Sequence, residues 1–255
     1  MHGFCPLASG SRGNAIFVGT KETRILVDAG VTLPVLQRRL QEIQIGLDTI
    51  QAILVTHEHI DHIQGISALS TKFKIPIFAN AGTAKGIYAA LHKVPQFKIF
   101  TTGEPFVFAD LEIHPFSIPH DTLDPVAFTI HTHFLKIGFC TDLGHVTSLV
   151  RKELAQCNYL YLEANHHPAL VHASARPSIY KQRVLGKQGH LSNESCASLV
   201  KEVHHSMLRH IHLAHLSSEC NRQELALEMV QSALQGTEVT LSIAFQEKIS
   251  KAILF

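Results

Sequence analysis

His57-Glu58-His59-Ile60-Asp61-His62 is the stretch that decides the fold. Three histidines and an aspartate fall within six residues, directly after the apolar run Ile53-Leu54-Val55-Thr56. In an extended segment side chains repeat with period 2, so His57 and His59 point the same way. A turn into a helix starting near His62 then swings Asp61 and His62 toward a second position. One loop thus offers nitrogen and oxygen donors to two adjacent metal positions. The competing reading is a solvated histidine-rich turn, and the strand-then-turn context favours ligation.

The same arrangement recurs outward from this loop. Arg24-Ile25-Leu26-Val27 runs into Asp28, Phe116-Ser117-Ile118-Pro119 into His120, Ile137-Gly138-Phe139-Cys140-Thr141 into Asp142, and Ile211-His212-Leu213-Ala214 into His215. In sheets covered by helices, sites form beyond the carboxyl ends of strands. Five such ends are expected to converge on one rim. His120 and His215 each supply an imidazole, and the two oxygens of Asp142 can bridge two cations. The expected cofactor is two divalent metal ions per chain, Zn²⁺ or Mn²⁺, about 3.5–4 Å apart. Their ligands are His57, His59, Asp61, His62, His120, Asp142 and His215. Asp28 is expected to orient the loop by hydrogen bonding rather than to bind metal.

Composition sets the broad class. The 255 residues are 45% hydrophobic and 17% charged, ordinary for a globular enzyme with a full core. Nineteen histidines are the anomaly, and the net charge of +1 gives no bulk attraction to a polyanion. No apolar run reaches the ~18 residues of a membrane span, so no membrane partner is expected. The opening Met1-His2-Gly3-Phe4-Cys5-Pro6 lacks the pattern of a signal peptide. Five cysteines without a CxxC pair fit reduced thiols, and a cytoplasmic location is expected. Without repeats or a Pro/Ser-rich linker, residues 1–255 read as a single domain.

Periodicity predicts strands over 15–18, 24–27, 52–55, 97–101, 106–108, 112–118, 126–132, 134–140, 159–162, 211–216 and 239–243. It predicts helices over 33–43, 63–73, 83–92, 145–156, 192–204 and 223–234. Strands interleaved with helices predict an α/β fold of sheets covered by helices.

These residues resemble the metallo-β-lactamase superfamily. The HxHxDH loop, Asp28 in Leu26-Val27-Asp28-Ala29-Gly30, His120, Asp142 and His215 follow its order and spacing. The fold implied is an αββα sandwich of two mixed sheets. Within the superfamily the chain is similar to the YycJ/WalJ-type metallo-hydrolases. The matching segments include Ser9-Gly10-Ser11-Arg12-Gly13-Asn14, Pro119-His120-Asp121, Leu162-Glu163-Ala164-Asn165-His166 and Gly189-His190-Leu191-Ser192-Asn193. That type implies 5′→3′ exonuclease activity on DNA. Its members usually carry an acid where His167 stands, so this loop departs from their pattern.

Fold does not settle chemistry, and three features narrow it. The bridging position is an aspartate, and an all-O/N ligand set suits phosphate oxygens. Glu163 and His190 look like the acid-relay pair of the tRNase Z-like branch, in which the glutamate supports a histidine that protonates the leaving oxygen; Asp61, in the metal loop, is expected to accept the proton of the attacking hydroxide. The alternative is that Gly189-His190 only leads into a helix capped by Ser192 or Asn193. Arg176, Lys181, Arg183 and Lys187 form a basic stretch beside His190, read as either a phosphate grip or a solvated helix face. Lys181 and Arg183 are candidate substrate contacts. So are Ser11 and Asn14, in a loop that either cradles phosphate or turns a hairpin. The HxH pairs His131/His133 and His210/His212 are expected to be surface residues. The expected partner is a nucleic acid, DNA by the resemblance. Competing classes are a thioester or lactone hydrolase of the same fold and a non-enzymatic binding module.

Overall fold

The computed structural model describes residues 1–92 and 96–255. Its backbone contacts group into two compact units: Met1–Glu112 with Thr122–Val126 and Ala244–Phe255, and Ile113–Asp121 with Ala127–Ile243.

The strands, in chain order, begin with β1 (Gly3–Ala8), β2 (Ala15–Gly19), β3 (Arg24–Val27), β4 (Ala52–Leu54), β5 (Ile77–Ala79) and β6 (Phe97–Ile99), all in the first unit. Farther along the chain come β7 (Phe106–Phe108), β8 (Leu111–Ser117), β9 (Val126–His131), β10 (Lys136–Cys140), β11 (Tyr159–Glu163), β12 (His210–Ala214), β13 (Thr240–Ile243) and β14 (Ile253–Leu254). One seven-stranded sheet runs β14-β1-β2-β3-β4-β5-β6 and the other β13-β12-β11-β10-β9-β8-β7. Both are mixed. β1, β2 and β3 pair antiparallel while β3, β4, β5 and β6 pair parallel. β9 and β10 pair antiparallel while β10, β11, β12 and β13 pair parallel.

Parallel pairing places the carboxyl ends of successive strands along one edge. Val27 is registered with Leu54, so Asp28 and Val55 leave the first sheet side by side. Cys140 is registered with Leu162, and Leu162 with Leu213, so Asp142, Glu163 and His215 emerge together from the second.

The core of the first unit is aliphatic. Leu26 and Ile53 from the sheet pack with Leu36 and Leu40 of the helix Leu33–Glu42 and with Ile63, Ile66 and Leu69 after the histidine loop. That packing seats the loop. Ile63 is fully buried one residue after His62, so the short helix Ile60–Ile63 cannot swing away without exposing it.

The predicted elements are present with shifted ends, and two mixed sheets with helices match the expected fold class. The 63–73 helix divides into Ile60–Ile63 and Ile66–Phe73 at Gly65, whose N–H donates to the Ala29 carbonyl. Sequence reading missed β1, β5, β14 and the helices Pro168–Ala173 and Ser178–Leu185. All six residues of β1 are buried, so no alternation marks it. Ser178–Leu185 buries only Val184 and therefore shows no apolar stripe.

Candidate metal centre

Each unit carries one cluster of donors. In the first, Asp28 organises the loop. It takes a left-handed backbone (φ 61°) immediately after β3, a conformation aspartate tolerates better than most residues. Its Oδ1 accepts from the Thr56 N–H at 2.9 Å, and its Oδ2 from the Thr56 hydroxyl at 2.9 Å and from His62 Nδ1 at 2.8 Å. With the Thr56 hydrogen given to Asp28, its oxygen accepts from His57 Nδ1 at 2.9 Å. Two buried imidazoles are thereby fixed with hydrogen on Nδ1 and the lone pair on Nε2. His57 Nε2 lies 3.2 Å from His59 Nδ1, and His62 Nε2 lies 3.6 Å from Asp61 Oδ2. The side chains of HxHxDH therefore converge as two pairs, His57 with His59 and Asp61 with His62.

Asn14 and Gly30 hold this loop from behind. The Asn14 amide donates to Asp61 Oδ2 at 3.3 Å and to His62 Nε2 at 3.0 Å, and its backbone N–H donates to the Asp61 carbonyl at 2.7 Å. Gly30 is pressed so closely against that carbonyl that a Cβ would stand 1.6 Å from its oxygen, so only glycine fits.

In the second unit the donors are His120, Asp142, Glu163, His190 and His215. Asp142 (φ 57°), two residues past β10, and His215 (φ 55°), directly after β12, also take left-handed backbone. Non-glycine residues persist in that region only where their surroundings impose it, and such positions concentrate at functional sites. Glu163, fully buried at the end of β11, takes four hydrogen bonds. Oε1 accepts from His190 Nδ1 at 2.8 Å and His215 Nδ1 at 3.0 Å, and Oε2 from the N–H groups of Leu143 at 2.8 Å and Leu191 at 3.0 Å. Burial alone would raise its pKa. The charge and hydrogen bond of His190, joined by the bond from His215, outweigh burial and hold the carboxyl well below the usual range. His120 Nδ1 donates to the Gly189 carbonyl at 3.1 Å. His190 lies between the other two rings, 5.3 Å from that of His120 and 5.2 Å from that of His215. Donor atoms of Asp142, Glu163, His190 and His215 all fall within 4.8 Å of one another.

The two clusters share one feature that tests their fitness for metal. His57, His62, His120 and His215 each spend the Nδ1 hydrogen on an oxygen acceptor and so carry the lone pair on Nε2, which in His62 faces the Asn14 amide. This is the outer support that metal-binding imidazoles require. With the carboxylate of Asp61 in the first cluster and that of Asp142 in the second, each donor set is one of nitrogen and oxygen and fits a divalent cation.

Other sequence candidates are placed differently. Ser11 is exposed at the loop tip, whereas Asn14 is buried and occupied with Asp61 and His62. Lys181 Nζ donates to the His172 carbonyl at 2.7 Å, Arg183 pairs with Asp121 at 2.6 Å, and Arg176 pairs with Glu219. His210 and His212 are not surface residues. They are buried in β12, and their rings meet the hydroxyls of Thr240 and Ser242 on β13. Those hydroxyls come from a neighbouring strand, which a linear pattern does not show. His166 is buried as well, and burial pushes its imidazole down to about 4, keeping it neutral. Sequence reading missed Thr56, which links Asp28 to His57, and Asn165, whose amide donates to the His215 carbonyl at 2.6 Å. Their side-chain types carry no signal of their own.

Residues 23–213 match the family model described as a beta-lactamase superfamily domain. The chain is 33% identical over 245 residues to the exodeoxyribonuclease YycJ of Bacillus anthracis, covering 95% of this chain and 93% of that protein. It is 31% identical over 244 residues to the exodeoxyribonuclease WalJ of Streptococcus pneumoniae, covering 94% and 91%. Among solved structures, the metallo-beta-lactamase fold protein YhfI of Bacillus subtilis superposes with a TM-score of 0.73 at 14% identity, covering 96% of this chain and 97% of that one. No helix among the described residues is long and apolar enough to cross a membrane. With its strand-end histidines and aspartates, its two mixed sheets and a family match across most of its length, this chain belongs to the metallo-β-lactamase superfamily.

Proposed function

We propose that this protein is a metal-dependent nuclease that hydrolyses phosphodiester bonds of DNA, in the 5′→3′ exonucleolytic manner. The observation that carries this reading is the Glu163–His190 pair: an imidazole held by a buried, ionised carboxylate beside Asp142. A nucleotide alkoxide is a very basic leaving group and needs a proton as its bond breaks. A thioester or an activated ester does not. The relatives named exodeoxyribonucleases, matched over nearly their whole length, support the same substrate class.

In this reading His57, His59, Asp61, His62, His120, Asp142 and His215 hold two divalent cations, Zn²⁺ or Mn²⁺, and both units act together as one functional domain. Cations held there would lower the pKa of water and stabilise charge on the phosphoryl oxygens. Asp61 accepts a proton at its carboxylate from the attacking water. His190 keeps its Nδ1 hydrogen on Glu163, so the proton delivered to the leaving oxygen is the one on Nε2. Asp28 and Asn14 hold the His57–His62 loop, and Ser11, Lys181 and Arg183 are outer contacts to the strand. The test is incubation with Mn²⁺ or Zn²⁺ and end-labelled DNA and RNA, beside an acyl-thioester. Stepwise release of nucleotides from the 5′ end of DNA is expected, and turnover of the thioester alone would overturn the reading.

A further inference from the structure

One cleft of the second unit is lined by chain neighbours of His120 and His190. It has a volume of about 600 Å³, within the range of ~300–1,000 Å³ that takes a small ligand. One wall is Pro119 and Asp121, which flank His120. The other is Gly186, Lys187 and Gln188, which lead into His190. The lining is thus continuous in the chain with both His120 and His190.

The cations near this cleft are not equivalent. Arg176 is paired with Glu219, Arg183 with Asp121, and Lys181 with the His172 carbonyl. Lys187 is exposed and lines the cleft, and its ammonium group has no partner among the described residues. Its backbone, by contrast, is pinned. The Lys187 carbonyl accepts from His145 Nδ1 at 2.9 Å, and it lies so near Gly144 that a Cβ there would come within 2.2 Å of its oxygen. The ammonium therefore projects from a fixed point and loses less freedom on binding than one on a mobile loop. With Arg183 neutralised by Asp121, Lys187 supplies the uncompensated charge of the cleft, and His145 and Gln188 add hydrogen-bonding groups.

We infer that this cleft is the subsite for the nucleotide adjoining the scissile bond, with Lys187 as its phosphate contact. The assignment rests on the nuclease reading and names the part of the strand that the second unit grips. It separates Lys187 from Lys181 and Arg183, which meet the strand farther out and only in exchange for their partners, the His172 carbonyl and Asp121.

The experiment is Lys187→Ala in the metal-loaded protein, with Lys201→Ala as a charge-matched control. Lys201 is exposed on the helix Asn193–Val203. Binding to fluorescein-labelled, phosphorothioate single-stranded DNA, which resists cleavage, is read by anisotropy over a range of KCl. Lys187→Ala is expected to weaken binding several-fold and to lower the slope of log K against log salt by about one, the signature of one lost phosphate contact. On cleavable DNA, KM should rise with kcat little changed, as for a contact made equally in ground and transition states. Lys201→Ala should keep the wild-type slope. An unchanged slope in Lys187→Ala, or an equal loss in Lys201→Ala, overturns the subsite while DNA cleavage by the wild type leaves the nuclease reading standing. Failure of the wild type to bind or cleave any polynucleotide overturns both.

Discussion

His215 Nδ1 donates to Glu163 Oε1 at 3.0 Å, the same oxygen that takes the 2.8 Å bond from His190. One buried carboxylate thus sets the ring orientation of a candidate metal ligand and of a candidate proton donor. Glu163→Gln replaces an oxygen by an amide nitrogen that cannot accept from the N–H groups of Leu143 and Leu191 while Oε1 serves both rings. Zn²⁺ affinity is expected to fall about 10–100-fold, the usual cost of disturbing a ligand's outer support. Equilibrium dialysis with elemental analysis checks it. Wild-type affinity in the variant would show that Glu163 serves His190 alone.

His190→Ala should separate two substrates by leaving-group basicity. The loss on DNA should be about 10²–10⁴-fold, the typical contribution of a general acid. On bis(p-nitrophenyl) phosphate, whose leaving group is already a stable anion, the loss should be far smaller. His57→Ala should damage both together. Equal losses in His190→Ala at unchanged metal content would remove it from the proton-donor role.

Two divalent ions per chain are expected from elemental analysis after reconstitution with Mn²⁺ or Zn²⁺. Asp61→Ala and Asp142→Ala should abolish hydrolysis while circular dichroism stays native. A stoichiometry that settles at one ion would leave only a mononuclear site.

Asp28→Asn keeps a residue that tolerates left-handed backbone but replaces a charged acceptor by a neutral one. Charge-assisted bonds are roughly twice as strong as neutral ones. The loop should persist with weakened metal affinity. Asp28→Ala additionally leaves the buried His62 Nδ1–H without its acceptor, at about 1–3 kcal/mol of stability. Urea denaturation of the two variants measures the difference, and equal midpoints would contradict it.

All five cysteines are buried free thiols. Burial pushes Cys5 and Cys157 up to about 12, and Cys140 and Cys196 are raised as well. Because thiolate is the reactive form, these groups stay protonated at pH 8 in the native state. Ellman's reagent should therefore label the protein only as fast as it unfolds, and guanidinium should release all five at once. Rapid labelling of the native protein would contradict this.

The sequence alone determined the superfamily and the strand-end donors. HxHxDH packs its donors into one loop, and Asp28, His120, Asp142 and His215 each follow an apolar run. Both signals are local, set by side-chain period and by where a strand stops. Glu163 and His190 were legible only through resemblance, since they lie 27 positions apart and meet across the end of β11. For Asn14 the loop pattern suggests a substrate contact. Its fold position, against Asp61 and His62, depends on a hairpin and a loop that lie 47 and 48 residues apart in the chain. The basic stretch was legible as charge, but which cation has a carboxylate partner was not. Glu219 and Asp121 reach Arg176 and Arg183 from distant segments. Composition and periodicity fix what a residue can do and which strand end presents it. Which hydrogen goes to which acceptor, and hence which nitrogen keeps its lone pair, is settled only when tertiary packing brings in the second group.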